Sequence, residues 1–119
     1  MSCDIGDHFR RGVDLFNAGS FFEAHEEMEE AMNLLDGDES DWELYLGLLR
    51  AAVALHKLSD GAVDSAILHL RAALKFLAPY SDRHRGIKLR EFRSALTVQL
   101  DRLVARSEQM PAAPRIEFA

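Results

Sequence analysis

The sequence predicts an all-α protein, a small bundle of about five helices, and three observations lead there. Apolar residues recur three and four positions apart through most of the chain, the spacing of one helix face. No run sustains the strict apolar–polar alternation of a half-buried strand. Glycine, proline and Asp/Ser clusters break the pattern at short intervals, so connections are brief and neighbouring helices should pack antiparallel.

The first helix is expected over about residues 4–18, with Ile5, Phe9, Gly12, Val13 and Phe16 on its apolar face and Gly19 just past its end. Ser20 and Glu23 then spell an S-x-x-E capping box, opening a second helix over about 20–35. On it Phe22, His25, Glu29 and Met32 share one stripe expected to turn toward the core, while Glu23, Glu26, Glu27 and Glu30 fall on the flanks and the solvent face. Asp36, Gly37, Asp38 and Glu39 read as a turn, and Ser40 with Glu43 makes a second capping box for a helix reaching about Leu58. Its buried face should carry Tyr45, Leu46, Leu49, Ala52, Val53 and His56.

Ser59, Asp60 and Gly61 interrupt the chain before a fourth helix over about 62–77, which uses Val63, Ala66, Ile67, Leu70, Ala73, Leu74 and Leu77 and stops before Pro79. A loop over 80–86 leads into a fifth helix over about 87–108, with Leu89, Phe92, Leu96, Leu100 and Leu103 at helical spacing. Residues 1–108 read as one helical domain and 109–119 as an irregular tail, whose Ile116 and Phe118 either dock in a groove or fray.

Composition narrows the function classes. A 119-residue chain with 48% apolar residues can fill one modest core. The start is broken by charged residues, no apolar run approaches membrane length, and the lone Cys3 agrees with a reducing compartment, so the expected setting is cytoplasmic with no membrane partner. A net charge of −6 argues against a nucleic-acid footprint. The charge is polarised, however: residues 20–43 hold ten acidic side chains and no Lys or Arg, whereas 71–106 hold nine Lys and Arg against Asp82, Glu91 and Asp101. Such faces are solvated and attract each other within the fold, or they drive self-association as a homodimer or take an acidic or nucleic-acid partner on the cluster Arg83, Arg85, Lys88, Arg90 and Arg93, where interleaved aromatics other than Phe92 are lacking.

Candidate chemistry gathers on the second and third helices. His25 opens an H-E-x-x-E stretch, one residue away from the H-E-x-x-H helix of zinc hydrolases, with Glu29 where the second histidine would stand. If the two helices pack antiparallel, His56 can add a third ligand, so a divalent metal on His25, Glu29 and His56 is one reading. The other is a partly buried polar cluster in which His25, Glu29, Arg50 and His56 satisfy one another, flanked by Phe22 and Met32. His8, His69 and His84 have no partner evident in the sequence and are expected at the surface. No G-x-S-x-G elbow, Walker loop or G-x-G-x-x-G turn occurs, which leaves nucleophilic catalysis and nucleotide binding without a signature.

Two resemblances add to this. Gly19, Phe21, Ala24, Met28 and Ala31 resemble the turn and second helix of a tetratricopeptide repeat, and Ala66, Leu70 and Ala73 repeat the small-large-small spacing 42 residues later, which implies tetratricopeptide-like helix pairs approaching closely at small residues. The lead Phe21-Phe22-Glu23-Ala24 followed by His25-x-x-x-Glu29-x-x-Met32 resembles the helical domain-of-unknown-function family numbered 309, known by an H-x-x-x-E-x-x-W motif. Methionine stands here where that family has tryptophan, and Arg50 lies near a position that is often glutamine there. The similarity continues through Gly47 to Lys57 and the Gly61-Ala62 turn, and it implies a compact helical bundle from an intracellular bacterial or archaeal source with no activity attached. The combined expectation is a helical binding or interaction module for an unknown protein or small-molecule ligand. The alternative is a metal-dependent hydrolase or small-molecule-processing enzyme on His25, Glu29 and His56.

Overall fold

The computed structural model describes residues 5–35 and 41–118. Its elements are α1 (Ile5–Asn17), α2 (Phe21–Asn33), α3 (Trp42–Ser59), α4 (Val63–Leu77), β1 (Arg83–His84), β2 (Ile87–Lys88) and α5 (Leu89–Val104). Cys3, the 36–39 turn and the Ser40 capping box lie outside the described residues. Among the described residues no helix is long and apolar enough to cross a membrane.

Helix ends explain the short connections. After α1, the Ser20 amide bonds back to the Leu15 carbonyl at 2.9 Å and the Gly19 amide to Phe16 at 3.0 Å, with Gly19 at φ +85°. That is a Schellman closure, which needs a left-handed residue at its corner. The same pair of bonds closes α3, from Ala62 to Lys57 and from Gly61 to Leu58, with Gly61 at φ +80°. It recurs after α5, from Ser107 to Arg102 and from Arg106 to Leu103, and here an arginine at φ 56° occupies the corner. This ends α5 at Val104 rather than at the expected residue 108.

The Ser20 capping box does not form. Ser20 is spent as the last residue of the preceding closure, at φ −86° and ψ 69°, and its hydroxyl makes no capping bond. A side-chain cap needs the extended backbone that this turn denies it.

The helices pack in chain order, α1 on α2, α2 on α3, α3 on α4 and α4 on α5, the first three contacts being the most extensive. Small residues set the distances. A Cβ on Gly12 would stand 2.8 Å from Met28 Cε, and one on Gly47 would stand 2.7 Å from both Cγ and Cδ2 of Leu77. Ala24, Met28, Ala31, Ala66, Leu70 and Ala73, the positions of the repeated small-large-small spacing, are all fully buried.

The α2 stripe is therefore rotated from expectation. Ala24, Met28 and Ala31 face the core, whereas Phe22 is 47% exposed, Glu29 is exposed, and His25 and Met32 sit on the half-buried margin. The Phe21 ring, not that of Phe22, turns inward onto Phe16 at 5.2 Å. Helix α3 is buried on two sides, with Leu44, Tyr45, Gly47, Leu48, Ala51, Ala52, Ala54 and Leu55 inside, whereas Leu46, Leu49, Val53 and His56 of the expected stripe are only half-buried.

A small hairpin replaces the expected start of the fifth helix. Arg83 pairs with Lys88 and His84 with Ile87 around Arg85 and Gly86, both in the left-handed region at φ 50° and 75°. Two positive values in a two-residue loop are the type I′ geometry that matches strand twist. The tail docks on this hairpin: the Lys88 amide donates to the Glu117 carbonyl at 2.8 Å, and Ile87 bridges Phe118. Asn17 holds the same segment through both sides of its amide, donating to the Ile116 carbonyl at 2.9 Å and accepting from the Ile116 amide at 2.8 Å, so Ile116 is buried.

Two backbone-level substitutions should move stability in opposite directions. Gly47→Ala forces a methyl into Leu77 and is expected to cost ~1–3 kcal/mol, whereas Arg106→Gly relieves a left-handed arginine and is expected to stabilise by about 1 kcal/mol. Urea denaturation midpoints measure both, and equal or reversed signs would refute this account of the helix contacts and ends.

Candidate functional site

The α2–α3 face brings several of the expected site residues together. Phe22 projects from the first turn of α2, and its ring centroid lies 5.6 Å from the His25 ring and 5.5 Å from the His56 ring of α3. Phe21, Phe22, His25, Val53, His56 and Lys57 line a cavity of about 220 Å³. Each histidine has a carboxylate one turn further along its own helix, Glu29 at 3.9 Å from His25 and Asp60 at 3.6 Å from His56. His25 Nδ1 also lies 3.3 Å from the Phe22 carbonyl, which ties the ring to the helix start.

The remaining expected members lie elsewhere. Glu29 has a side chain 60% exposed and reaches only the outer edge of His25, so it does not enter a buried seam. Arg50 turns to α4, where its guanidinium donates to His69 Nδ1 at 3.0 Å. Burial first, then the charges of Arg50 and Lys57, hold the His69 pKa below its ordinary value. The closed four-residue cluster is thus divided into a groove on α2 and α3 and a separate Arg50–His69 link between α3 and α4. Among the described residues no three His, Cys, Asp or Glu side chains are grouped to hold a metal ion, so His25, Glu29 and His56 do not form a coordination set.

A second polar centre, invisible in the local sequence, joins the hairpin to the start of α3. Asp41 is 6% exposed; its carboxylate accepts from His84 Nε2 at 2.6 Å and from Arg85 Nε. Arg85 lies over the Tyr45 ring at 5.8 Å, and the Tyr80 hydroxyl accepts the Leu44 amide at 2.9 Å while its ring meets His84 at 4.9 Å. Burial pushes the Asp41 carboxyl up, but the hydrogen bonds and charges of His84 and Arg85 outweigh it and hold the pKa below 3.8. The acidic and basic halves of the chain do attract each other within the fold at this point.

The three histidines expected at the surface without partners are all engaged: His8 contacts Glu27 at 2.6 Å, His69 meets Arg50, and His84 meets Asp41. Long sequence separation hid each pair.

With this geometry in place, the comparisons define the class. Residues 9–68 match the family described as Domain of unknown function (DUF309), and the chain belongs to that family. An uncharacterized protein of Aquifex aeolicus (strain VF5) is 40% identical over 81 residues, which is 68% of this chain and 24% of the relative. The chain thus spans about a quarter of the length of that relative. The α2–α3 groove lies wholly inside the family match, whereas the hairpin and tail lie beyond it.

The Asp41 centre predicts an acid-sensitive contribution to stability. A carboxyl whose folded pKa is depressed below 3.8 stabilises fully above that value and loses the effect as pH falls through the folded pKa. Asp41→Asn should cost of order 1 kcal/mol at pH 7, and the gap to the unsubstituted chain should close below about pH 4. Denaturation at a series of pH values reads this directly; a gap that stays constant to pH 2 would contradict it.

Proposed function

We propose that the chain is an interaction module whose α2–α3 groove receives one anchoring apolar side chain of a protein partner. The observation that carries the reading is Phe22: 47% exposed on an otherwise polar helix face, its ring stands between two histidine rings at the mouth of a cavity. An aromatic left this open suits an anchor contact.

Size favours a side chain over a whole small molecule. The cavity is about 220 Å³, below the ~300–1,000 Å³ usual for small-molecule pockets. Val53 and Phe21 supply apolar floor, while His25, His56 and Lys57 ring it with nitrogen groups suited to backbone carbonyls or acidic side chains flanking the anchor. The Aquifex relative carries the matched segment as about a quarter of a longer chain, which suits a module. A cytoplasmic setting belongs to the same proposal and rests on a chain with one cysteine. The metal-dependent hydrolase reading has less support, because its three residues do not converge as ligands.

The test uses N-acetyl-tryptophanamide as the anchor mimic, titrated into isotope-labelled protein. Amide resonances of Phe22, His25, Val53 and His56 should shift saturably with Kd in the range of about 1–10 mM, and Phe22→Ala should abolish the response with the remaining spectrum intact. Shifts that never saturate, or that survive Phe22→Ala, would refute the groove as an anchor site.

A further inference from the structure

A second cavity lies at the far end of α3 from the groove, beside the hairpin turn and the tail. It measures about 430 Å³ and is lined by Gly6, Phe9, Arg10, Arg85, Gly86 and Phe118. Only Phe9 and Arg10 fall inside the family match; Gly6 at the start of α1, the hairpin turn and the docked tail build the rest. From this geometry we infer that the cavity binds a small planar anion, an aromatic ring bearing a carboxylate or a phosphate monoester.

Each part of that ligand has a counterpart in the wall. The Phe9 and Phe118 rings meet edge to face at 6.2 Å and 71°, which offers a flat apolar body one ring face and one ring edge. Gly6 and Gly86 contribute backbone without side chains, so a flat body can lie close to the chain on two sides. Gly86 in addition holds φ 75°, a conformation that keeps the turn free of a Cβ there.

Charge selects the anion. Arg10 stacks over the Phe118 ring at 5.5 Å and is in no ion pair among the described residues. Arg85 stands on the opposite wall with Nε fixed by Asp41, so its guanidinium is oriented before any ligand arrives. Gly6 belongs to the first described turn of α1, the end of the helix toward which the peptide dipoles are positive. A volume of about 430 Å³ falls within the range of small-molecule pockets, in contrast to the groove. The two sites therefore differ in occupant, and neither proposal depends on the other.

The experiment titrates 2-naphthoate, its neutral analogue 2-naphthalenemethanol and inorganic phosphate into the full chain, followed by amide resonances. Naphthoate should shift Gly6, Arg10, Gly86 and Phe118 saturably, and the alcohol should bind at least about tenfold more weakly. Arg10→Gln, an exposed change, should weaken naphthoate by about tenfold with the other resonances unmoved, and Phe118→Ala should weaken it as well. Phosphate alone should perturb the same amides more weakly. Equal affinity for acid and alcohol, an unchanged affinity in Arg10→Gln, or saturable shifts confined to Phe22 and His56 would each overturn the inference.

Discussion

The contact on which the structure depends is the close approach of α3 to its neighbours, seen most sharply where Gly47 leaves no room for a methyl beside Leu77. A helix sandwiched by two others must bury two faces, and α3 does so with Gly47, Ala51, Ala52 and Ala54 set among Leu44, Tyr45, Leu48 and Leu55. Small residues let the axes approach, and the leucines then fill the spaces beside them at close-packed density. Ala24 and Ala31 on α2 and Ala66 and Ala73 on α4 are fully buried with the same economy of volume. Enlarging these positions would force the closely packed helices apart.

Helix α3 then acts as a spine with a different chemistry at each end. Its C-terminal turns present Val53, His56 and Lys57 to the groove, opposite Phe22 and His25. Its N-terminal end presents Asp41 and Tyr45 to the hairpin, where Arg85 is fixed between a carboxylate and an aromatic ring. A largely buried carboxylate needs its donors, and here it finds them in residues more than forty positions away. The tail completes the second end, since Ile116 is buried and Phe118 closes the wall shared with Arg10.

Much of the helical architecture was legible because it is local. Gly19 and Gly61 mark their helix ends by a backbone conformation that other residues reach only at a cost, and Pro79 marks another by its missing amide. The register of α2 was not legible. Phe21 and Phe22 offer two stripes about a hundred degrees apart, and the choice falls to Met28 against Gly12, a partner on another helix. The hairpin escaped notice because two-residue strands are too short to alternate and Arg85-Gly86 lacks the Asn-Gly signature of its turn. Of the candidate site, His25, Phe22 and His56 could be read from spacing on adjacent helices, but Asp41, His84 and Arg85 could not, since the hairpin that unites them is a tertiary event. Arg50 read as a member of the first cluster and belongs instead to α4 through His69.

Native-state hydrogen exchange tests the central claim, that α3 is the rigid spine that forms one wall of the groove and anchors the hairpin beside the second cavity. Amides from Leu48 to Leu55 should exchange only through global unfolding, with free energies and denaturant dependence equal to those of the whole chain. Exchange of these amides through local openings, faster than in α1 or α5, would contradict the account.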